Sequence, residues 1–195
     1  MRNSPEAVDT MIILSTARLH FEFYGYAKTQ MRDVSRDAAM SIELVRRYFR
    51  TKQALAEALV AECMAEVTAQ VSEAAAEGRT PPDMLKAALY SLTMAAVERR
   101  WGKPRFFQIV ATSTRKRWPP AVRHEEIIKA MVCRIVAAGI EAGDFTSLRS
   151  LDELCRSVHD AMQPYVNPVT VNDHIYPAID EALLDIDALL RAMRP

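Results

Sequence analysis

The sequence has 195 residues, half of them hydrophobic, and its equal numbers of acidic and basic side chains give a formal net charge of zero. A chain of this size and composition can bury a sizeable core, which argues against a disordered protein. It has no run of about 18 apolar residues that would span a membrane and no N-terminal signal peptide pattern, so we expect a cytoplasmic protein.

All of the predicted elements are helices. The chain has only five glycines and no Asn-Gly or Asp-Gly hairpin signal, and Ala, Leu, Met, Glu and Arg dominate, a composition that favours an all-α fold. Apolar spacing, N-caps and prolines predict about nine helices. They span approximately 6–24, 29–37, 41–49, 51–77, 81–99, 105–116, 122–142, 150–163 and 173–193. The segment 164–173 is predicted to be a loop.

Basic charge concentrates between residues 28 and 52, where seven basic side chains accompany three acidic ones. The same segment is predicted to form two short helices joined by about four residues. This is the helix-turn-helix pattern, in which the second helix enters the major groove of DNA. On that helix Val45 and Phe49 are spaced to pack inward. The outward residues are Ile42, Glu43, Leu44, Arg46, Arg47 and Tyr48.

Two kinds of side chain on this surface suit DNA. Arginine reads guanine edges or grips phosphate, and Tyr48 can donate its hydroxyl to a phosphate. Lys52 lies in the first turn of the following helix, where the helix N-terminus already favours an anion. The alternative interpretation is a set of solvated charges that flank two small helices.

Residues 13–55 resemble the N-terminal domain of the tetracycline-repressor family of bacterial transcription regulators. The matching residues follow one another without a gap: Ala17, Phe21, Gly25–Tyr26, Thr29, Met31–Val34, Ala38, Ser41, Val45, Tyr48–Phe49, Lys52 and Leu55. The resemblance implies a homodimer in which residues 1–52 bind a palindromic double-stranded DNA operator. Residues 53–195 would form a helical domain for ligand binding and dimerisation. A small apolar or amphipathic effector would release a repressor of this kind from DNA.

The resemblance also implies roles for individual residues. Thr29 and Gln30 would hold phosphate at the start of the second helix. Leu44, Arg46 and Arg47 would face the groove, while Tyr48 and Lys52 would hold backbone phosphates. The complete predicted DNA surface is Thr29, Gln30, Arg32, Ser41, Glu43, Leu44, Arg46, Arg47, Tyr48 and Lys52.

Five positions depart from the family pattern. Glu43 and Ala39 stand where the family commonly has glycine, Arg46 replaces a tyrosine, and Gln30 replaces a hydroxyl residue. His20 occupies a core site usually filled by leucine, and we interpret it as a core histidine with a hydrogen-bond partner. Glu43 favours an alternative function, that of a helical dimeric ligand-binding or adapter protein that has lost operator binding.

The last two predicted helices carry apolar stripes. Such stripes are most often core, but a terminal helix pair with nothing after it favours a four-helix dimer interface. The predicted interface residues are Leu151, Leu154, Val158, Ile175, Ile179, Leu183, Ile186 and Leu190.

A ligand cavity is less visible in the sequence. Soft and bulky side chains could line one, although each alone is more often core. The candidates are Met64, Met84, Met94, Trp101, Phe106, Phe107, Met131, His159 and Met162.

No catalytic pattern is present. The four histidines are scattered, and the segment His124–Glu126 lacks the second histidine of a zinc-binding HExxH helix. The chain has no glycine-rich phosphate loop and no GxSxG motif, and its three cysteines form no zinc spacing. We expect no enzyme activity, no metal and no cofactor.

Overall fold

A computed structural model describes residues 5–146, 148–173 and 179–195, and every regular element in these ranges is a helix. The described helices are α1 (Pro5–Lys28), α2 (Met31–Asp37), α3 (Ile42–Tyr48), α4 (Lys52–Ala76), α5 (Pro81–Gly102), α6 (Pro104–Arg115), α7 (Pro119–Glu141), α8 (Leu151–Val166), α9 (Pro168–Asp173) and α10 (Ile179–Ala192). The all-α prediction is confirmed. None of the described helices is long and apolar enough to cross a membrane.

Helix starts follow the capping residues in the sequence. The hydroxyl of Ser41 accepts from the Leu44 amide at 3.1 Å, and that of Thr51 accepts from the Ala54 amide at 3.0 Å. Ser150 forms the complete capping box with Glu153 that its spacing predicts.

One boundary agrees with the sequence and one differs. The first helix is interrupted at Gly25, as predicted, because that glycine has a non-helical backbone with φ of 76°, and a short helical turn follows to Lys28. The segment predicted as a loop instead holds the end of α8 and all of α9. Asn167 makes this possible, since its side chain accepts from the Val169 amide at 3.0 Å and Pro168 fills the first position of α9.

The buried side chains form two clusters. The N-terminal cluster joins α1, α2, α3 and the first half of α4 to Phe106, Ile109 and Val110 of α6. The C-terminal cluster joins the second half of α4 to α5, α7, α8 and α10. Since α4 belongs to the first cluster up to Met64 and to the second from Val67 onward, it is a single rigid element shared by both.

Candidate DNA-binding surface and ligand cavity

Helix α3 is held by one face and exposed on the other. Val45 has no exposed surface and Phe49 is buried, as their spacing predicts. Glu43, Arg46 and Arg47 are exposed, and in the described part of the chain none of the three takes part in an ion pair. The two guanidinium groups are therefore free to meet an external anion.

The turn between α2 and α3 is closed by the backbone. The Met40 amide donates to the Ser35 carbonyl at 2.9 Å, and Ala39 adopts a left-handed φ of 54°. A Cβ is disfavoured in this conformation, which suits glycine. The geometry explains why an alanine here is unusual in a helix-turn-helix sequence.

The ammonium group of Lys52 is hydrogen-bonded to backbone carbonyls of the protein. Its Nζ donates to the carbonyls of Tyr26 at 2.7 Å and Thr29 at 3.0 Å, with Ala27 at 3.4 Å, and lies 4.5 Å from the centre of the Tyr26 ring. These carbonyls belong to the end of α1 and the residues just after it, where a cation is favourable. Lys52 thus ties the start of α4 to the end of α1.

The other polar residues of the predicted DNA surface are placed in different ways. Tyr48 donates to the Asp9 carboxylate at 3.1 Å, and partial burial together with that carboxylate raises the pKa of Tyr48. Thr29 is buried and donates to the Gly25 carbonyl at 2.9 Å. Gln30 and Arg32 are exposed, and Gln30 occupies the N-cap of α2 without a side-chain bond to it.

His20 joins α1 to α2. It is buried, and its Nε2 lies 2.8 Å from the Asp37 carboxylate. Arg36 and then His20 lower the pKa of Asp37. The interpretation of His20 as a core histidine with a hydrogen-bond partner is confirmed.

The second candidate site is a cavity of about 460 Å³ among the helices that follow the helix-turn-helix. Its walls come from α4, α5, α6, α7, α8 and α9. The apolar part of the lining includes Met64, Val67, Leu89, Leu92, Phe107, Val110, Ile128, Val132, Val158 and Met162. A space of this size and lining suits a small organic molecule.

Charged side chains stand at the same cavity. Arg117 and Lys129 are exposed, and Arg117 lies 3.9 Å from the Glu125 carboxylate. Arg99 is less exposed and donates to Gln70 at 3.3 Å, with Glu66 at 3.8 Å. The cationic groups offer a place for an anionic end of a ligand.

His124 is a lining residue that the sequence analysis did not select. Its Nδ1 lies 2.9 Å from the hydroxyl of Thr68 on α4. Burial, and then the charge of Arg99, lower the pKa of His124 to about 4. Its sequence signal is the spacing with Ile128 and Val132, which places three lining residues on one face of α7.

Only some of the residues predicted to line a ligand site lie at this cavity. Met64, Phe107, His159 and Met162 line the cavity, and His159 Nε2 lies 3.0 Å from the Gln163 amide nitrogen. The remaining candidates lie elsewhere. Phe106 packs in the N-terminal cluster, Met131 in the C-terminal one, Met84 and Met94 are partly buried, and Trp101 is 68% exposed.

Four of the eight predicted dimer residues lie in the core of the single chain. Leu154, Val158, Ile186 and Leu190 are buried in the C-terminal cluster of a single chain, where α10 packs on α5 and α8. Their apolar spacing therefore reflects the protomer's own core. Ile179 and Leu183 are partly exposed, Leu151 is exposed, and Ile175 lies outside the described residues. The outward apolar side chain on α10 is Leu184, which is 66% exposed.

A helix-turn-helix with outward arginines, followed by a helical domain around a cavity, is the architecture of a helical transcription regulator. Residues 13–59 match the family model of bacterial regulatory proteins, tetR family, and residues 81–186 match that of the tetracyclin repressor-like C-terminal domain. The second match alone covers more than half of the chain. The chain therefore belongs to the tetracycline-repressor family of bacterial transcription regulators. No curated protein sequence matches it.

Solved structures share the fold over nearly the whole chain. FadR from Bacillus subtilis, determined in complex with stearoyl-CoA, has a TM-score of 0.70 at 15% identity, with 94% of this chain and 99% of that chain covered. The ketosteroid regulator KstR2 of Mycobacterium tuberculosis has a TM-score of 0.59 at 17% identity and coverages of 100% and 97%. A TetR-family regulator from Mesorhizobium loti reaches 0.71 at 15% identity, with 97% and 96% covered.

Proposed function

We propose that the protein is a homodimeric repressor that binds a palindromic DNA operator and is released by a small amphipathic effector. Residues 1–52 would form the DNA-binding domain and residues 53–195 the effector and dimerisation domain of a cytoplasmic, non-catalytic regulator. One observation carries the proposal: Arg46 and Arg47 are exposed, and have no ion-pair partner among the described residues, on a helix whose other face is fixed by Val45.

The DNA contacts are divided between base reading and phosphate binding. Arg46, Arg47 and Leu44 lie on α3, the helix that enters the major groove in a helix-turn-helix protein. Arg32 and Gln30, at the start of α2, are exposed and suit backbone phosphate. Lys52 and Tyr48 support the surface from within, because both are already bonded to other parts of the N-terminal cluster.

The effector would occupy the cavity, with its apolar body against Met64, Phe107 and Met162 and an anionic end toward Lys129 and Arg117. FadR, which shares the fold, was determined with stearoyl-CoA, a long apolar chain on an anionic carrier. That ligand is of the class this lining suits. The chemical identity of the effector is a separate question from its class.

The test starts from total genomic DNA. Fragments retained by the protein in an electrophoretic shift are sequenced, and a shared inverted repeat is the expected result. Binding to that repeat should weaken steeply as salt rises, because neutralised phosphates release counterions. Retention of no fragment, or of fragments that share no motif, contradicts operator binding.

Glu43 favours a second candidate function, a dimeric ligand-binding adapter without an operator. It is exposed in the first turn of α3, where its carboxylate suits the helix dipole but repels a nearby phosphate. The same experiment separates the two functions, since an adapter binds ligands yet retains no specific fragment. A thermal-shift screen and mass spectrometry of co-purified small molecules report ligand binding independently of DNA.

A further inference from the structure

His124 presents its two ring nitrogens to different surroundings. Nδ1 faces Thr68 on α4 at 2.9 Å, and Thr68 is not part of the cavity wall. The ring itself lines the cavity. Since Nδ1 is occupied by Thr68, Nε2 is the ring nitrogen left for a ligand.

The hydrogen-bond partners fix the tautomer of this ring. Thr68 has one hydroxyl proton, which it donates to the Met64 carbonyl at 2.8 Å. With that proton engaged, its oxygen is left to accept from His124, which assigns the ring proton to Nδ1. The Met64 carbonyl, which has no proton to give, is a second acceptor for the ring. With Nδ1 protonated, a neutral imidazole carries a bare lone pair on Nε2.

Two effects keep the ring neutral at physiological pH. Partial burial disfavours the imidazolium, and the nearby Arg99 guanidinium repels it, so the pKa of His124 falls to about 4. At pH 7 the ring is therefore a hydrogen-bond acceptor and brings no charge to the cavity.

Other polar side chains of the cavity already bond to one another or to the backbone. Gln163 is bonded to His159 at 3.0 Å and accepts from Asn167 at 2.7 Å, while Asn167 also accepts from the Val169 amide. Nε2 of His124 has no partner among the described residues. An acceptor beside apolar walls gains most from a ligand that supplies a donor, because water is displaced when the ligand binds.

We propose that His124 is a specificity-determining residue of the cavity and that the effector is an apolar molecule with a hydroxyl or N–H group that donates to Nε2. The inference rests on the proposed function of the cavity as the effector site. It adds a chemical requirement that size and polarity alone do not impose. An apolar compound that only accepts hydrogen bonds would leave Nε2 buried without a partner and bind less well.

The test compares two probes that differ in one donor. 1-Decanol and its methyl ether have the same apolar chain, but only the alcohol has an O–H. Their dissociation constants are measured on the full chain by displacement of 1-anilinonaphthalene-8-sulfonate fluorescence, with isothermal titration as a check. We expect the unmodified protein to bind the alcohol on the order of tenfold more tightly, the effect of one net hydrogen bond.

The ratio of the two constants is then measured in variants. His124→Phe should reduce it to about one, and His124→Leu repeats the test with a smaller side chain if the first variant does not fold. Tyr90→Phe is the matched control, since it removes one polar group from an exposed side chain outside the cavity wall and should leave the alcohol preference intact. A loss of stability or a change in cavity shape weakens the binding of both probes alike, so it cancels in the ratio of their dissociation constants.

The outcomes distinguish the inference from the proposed function. If the fluorophore and both probes bind but the unmodified protein shows no alcohol preference, or His124→Phe retains it, the role of His124 is wrong and the cavity remains a ligand site. If neither the fluorophore nor any probe binds, the effector site itself is wrong and the inference fails with it.

Discussion

Ala39 has a backbone conformation that suits glycine better than alanine. It holds a left-handed φ of 54° in the turn of the helix-turn-helix, where a Cβ costs about 1–2 kcal/mol per residue. The turn is nevertheless kept, since the Met40 amide bonds to the Ser35 carbonyl and α3 is fixed by Val45. The surrounding packing therefore imposes the strain.

Replacing this residue should relieve the strain. Ala39→Gly is expected to raise the free energy of unfolding by about 0.5–1 kcal/mol, the penalty of the Cβ less the greater entropy lost by glycine. Urea denaturation followed by circular dichroism measures the change. Ala69→Gly, at an exposed position inside α4, is the control and should lower stability by about 1 kcal/mol. A loss of stability in both variants would contradict strain at residue 39.

The depressed pKa of His124 predicts how stability depends on pH. The folded ring is neutral down to about pH 4, whereas in the unfolded chain it takes up a proton below its ordinary pKa of 6.5. The unfolded state therefore binds more protons in this window. Stability contributed by His124 is complete above pH 6.5 and is lost as pH falls toward 4, by at most about 3 kcal/mol.

The measurement is a series of urea titrations between pH 7 and 4 on the unmodified protein and on His124→Gln. Subtraction removes the contributions of carboxylates and of the other histidines, which both proteins share. The variant should lose less stability than the unmodified protein across the window. Parallel curves would mean that the ring is not held neutral in the fold.

Residue-scale roles were predictable where one helix determines them. Val45 and Phe49 fix which side of α3 faces inward, so the outward position of Arg46 and Arg47 follows from spacing alone. The partners of Lys52 did not follow, because its three carbonyls lie more than twenty residues upstream. His124 was missed for the same reason, since its role depends on a hydroxyl 56 residues earlier in the chain.

At the scale of elements, Lys52 joins two helices that frame the DNA-binding surface. It holds the end of α1 against the start of α4 through charge-assisted bonds to carbonyls. The orientation of α3 depends on this frame, since α1 and α4 supply most of the N-terminal cluster against which Val45 packs. We therefore expect Lys52 to affect DNA binding through structure as well as through charge.

A pair of variants separates these two effects. Lys52→Met should lower the free energy of unfolding by about 1–2 kcal/mol and weaken binding to every DNA sequence. Arg47→Ala should leave stability within about 0.5 kcal/mol and cost about 1–3 kcal/mol of operator binding at one base position. Denaturation curves and duplex titrations at one salt concentration provide both readouts. Unchanged stability of Lys52→Met would mean that the carbonyl contacts contribute little.

Element boundaries were predicted best where a capping residue signals them. Ser41, Thr51, Thr80 and Ser150 each cap the helix that their position predicts. Helix α9 was missed because the prolines on both sides of Asn167 were interpreted as loop residues, although Asn-Pro is also a helix start. Gly25 interrupts α1 where its position predicts a helix end.

At the scale of the whole molecule, the spacing of apolar residues predicted which side chains are buried. It did not predict which helices cover them. Ile186 and Leu190 have the spacing of a helix-packing seam, and the seam packs on α5 and α8 of the same chain. The cavity could not be predicted for a related reason. Six helices contribute its walls, and an empty space leaves no pattern in any one of them.

The proposed dimer must therefore use the outer face of the terminal helices. Leu184 is 66% exposed on α10 and Leu151 is exposed at the start of α8, whereas the inner face is occupied by the protomer's core. A large exposed leucine on a helix is more costly in a monomer than in an assembly that covers it. Leu184 is thus a sharper probe of dimerisation than Leu183 or Leu190.

Leu184→Glu should convert the proposed dimer to a folded monomer, because a buried, unpaired carboxylate at an interface is costly while an exposed one is not. Light scattering measures the mass, and circular dichroism checks that the helices persist. Leu19→Glu, a similarly exposed leucine on α1, is the control and should leave the mass unchanged. A monomeric unmodified protein, or a dimeric Leu184→Glu, would contradict this interface.

The same variant links assembly to DNA recognition. A two-fold dimer places its two α3 helices on half-sites about one helical turn, roughly 34–36 Å, or a multiple of it apart. The folded monomer should bind an isolated half-site as well as the unmodified protein does, since its α3 surface is unaltered. A dimer binds the complete inverted repeat more tightly than a single half-site, because its second subunit is already held near the second half-site. The monomer should lose most of this added affinity, because a second molecule must then bind independently. Titrations with half-site and full-site duplexes measure this difference, and equal losses on both duplexes would show that Leu184 affects the DNA-binding surface itself.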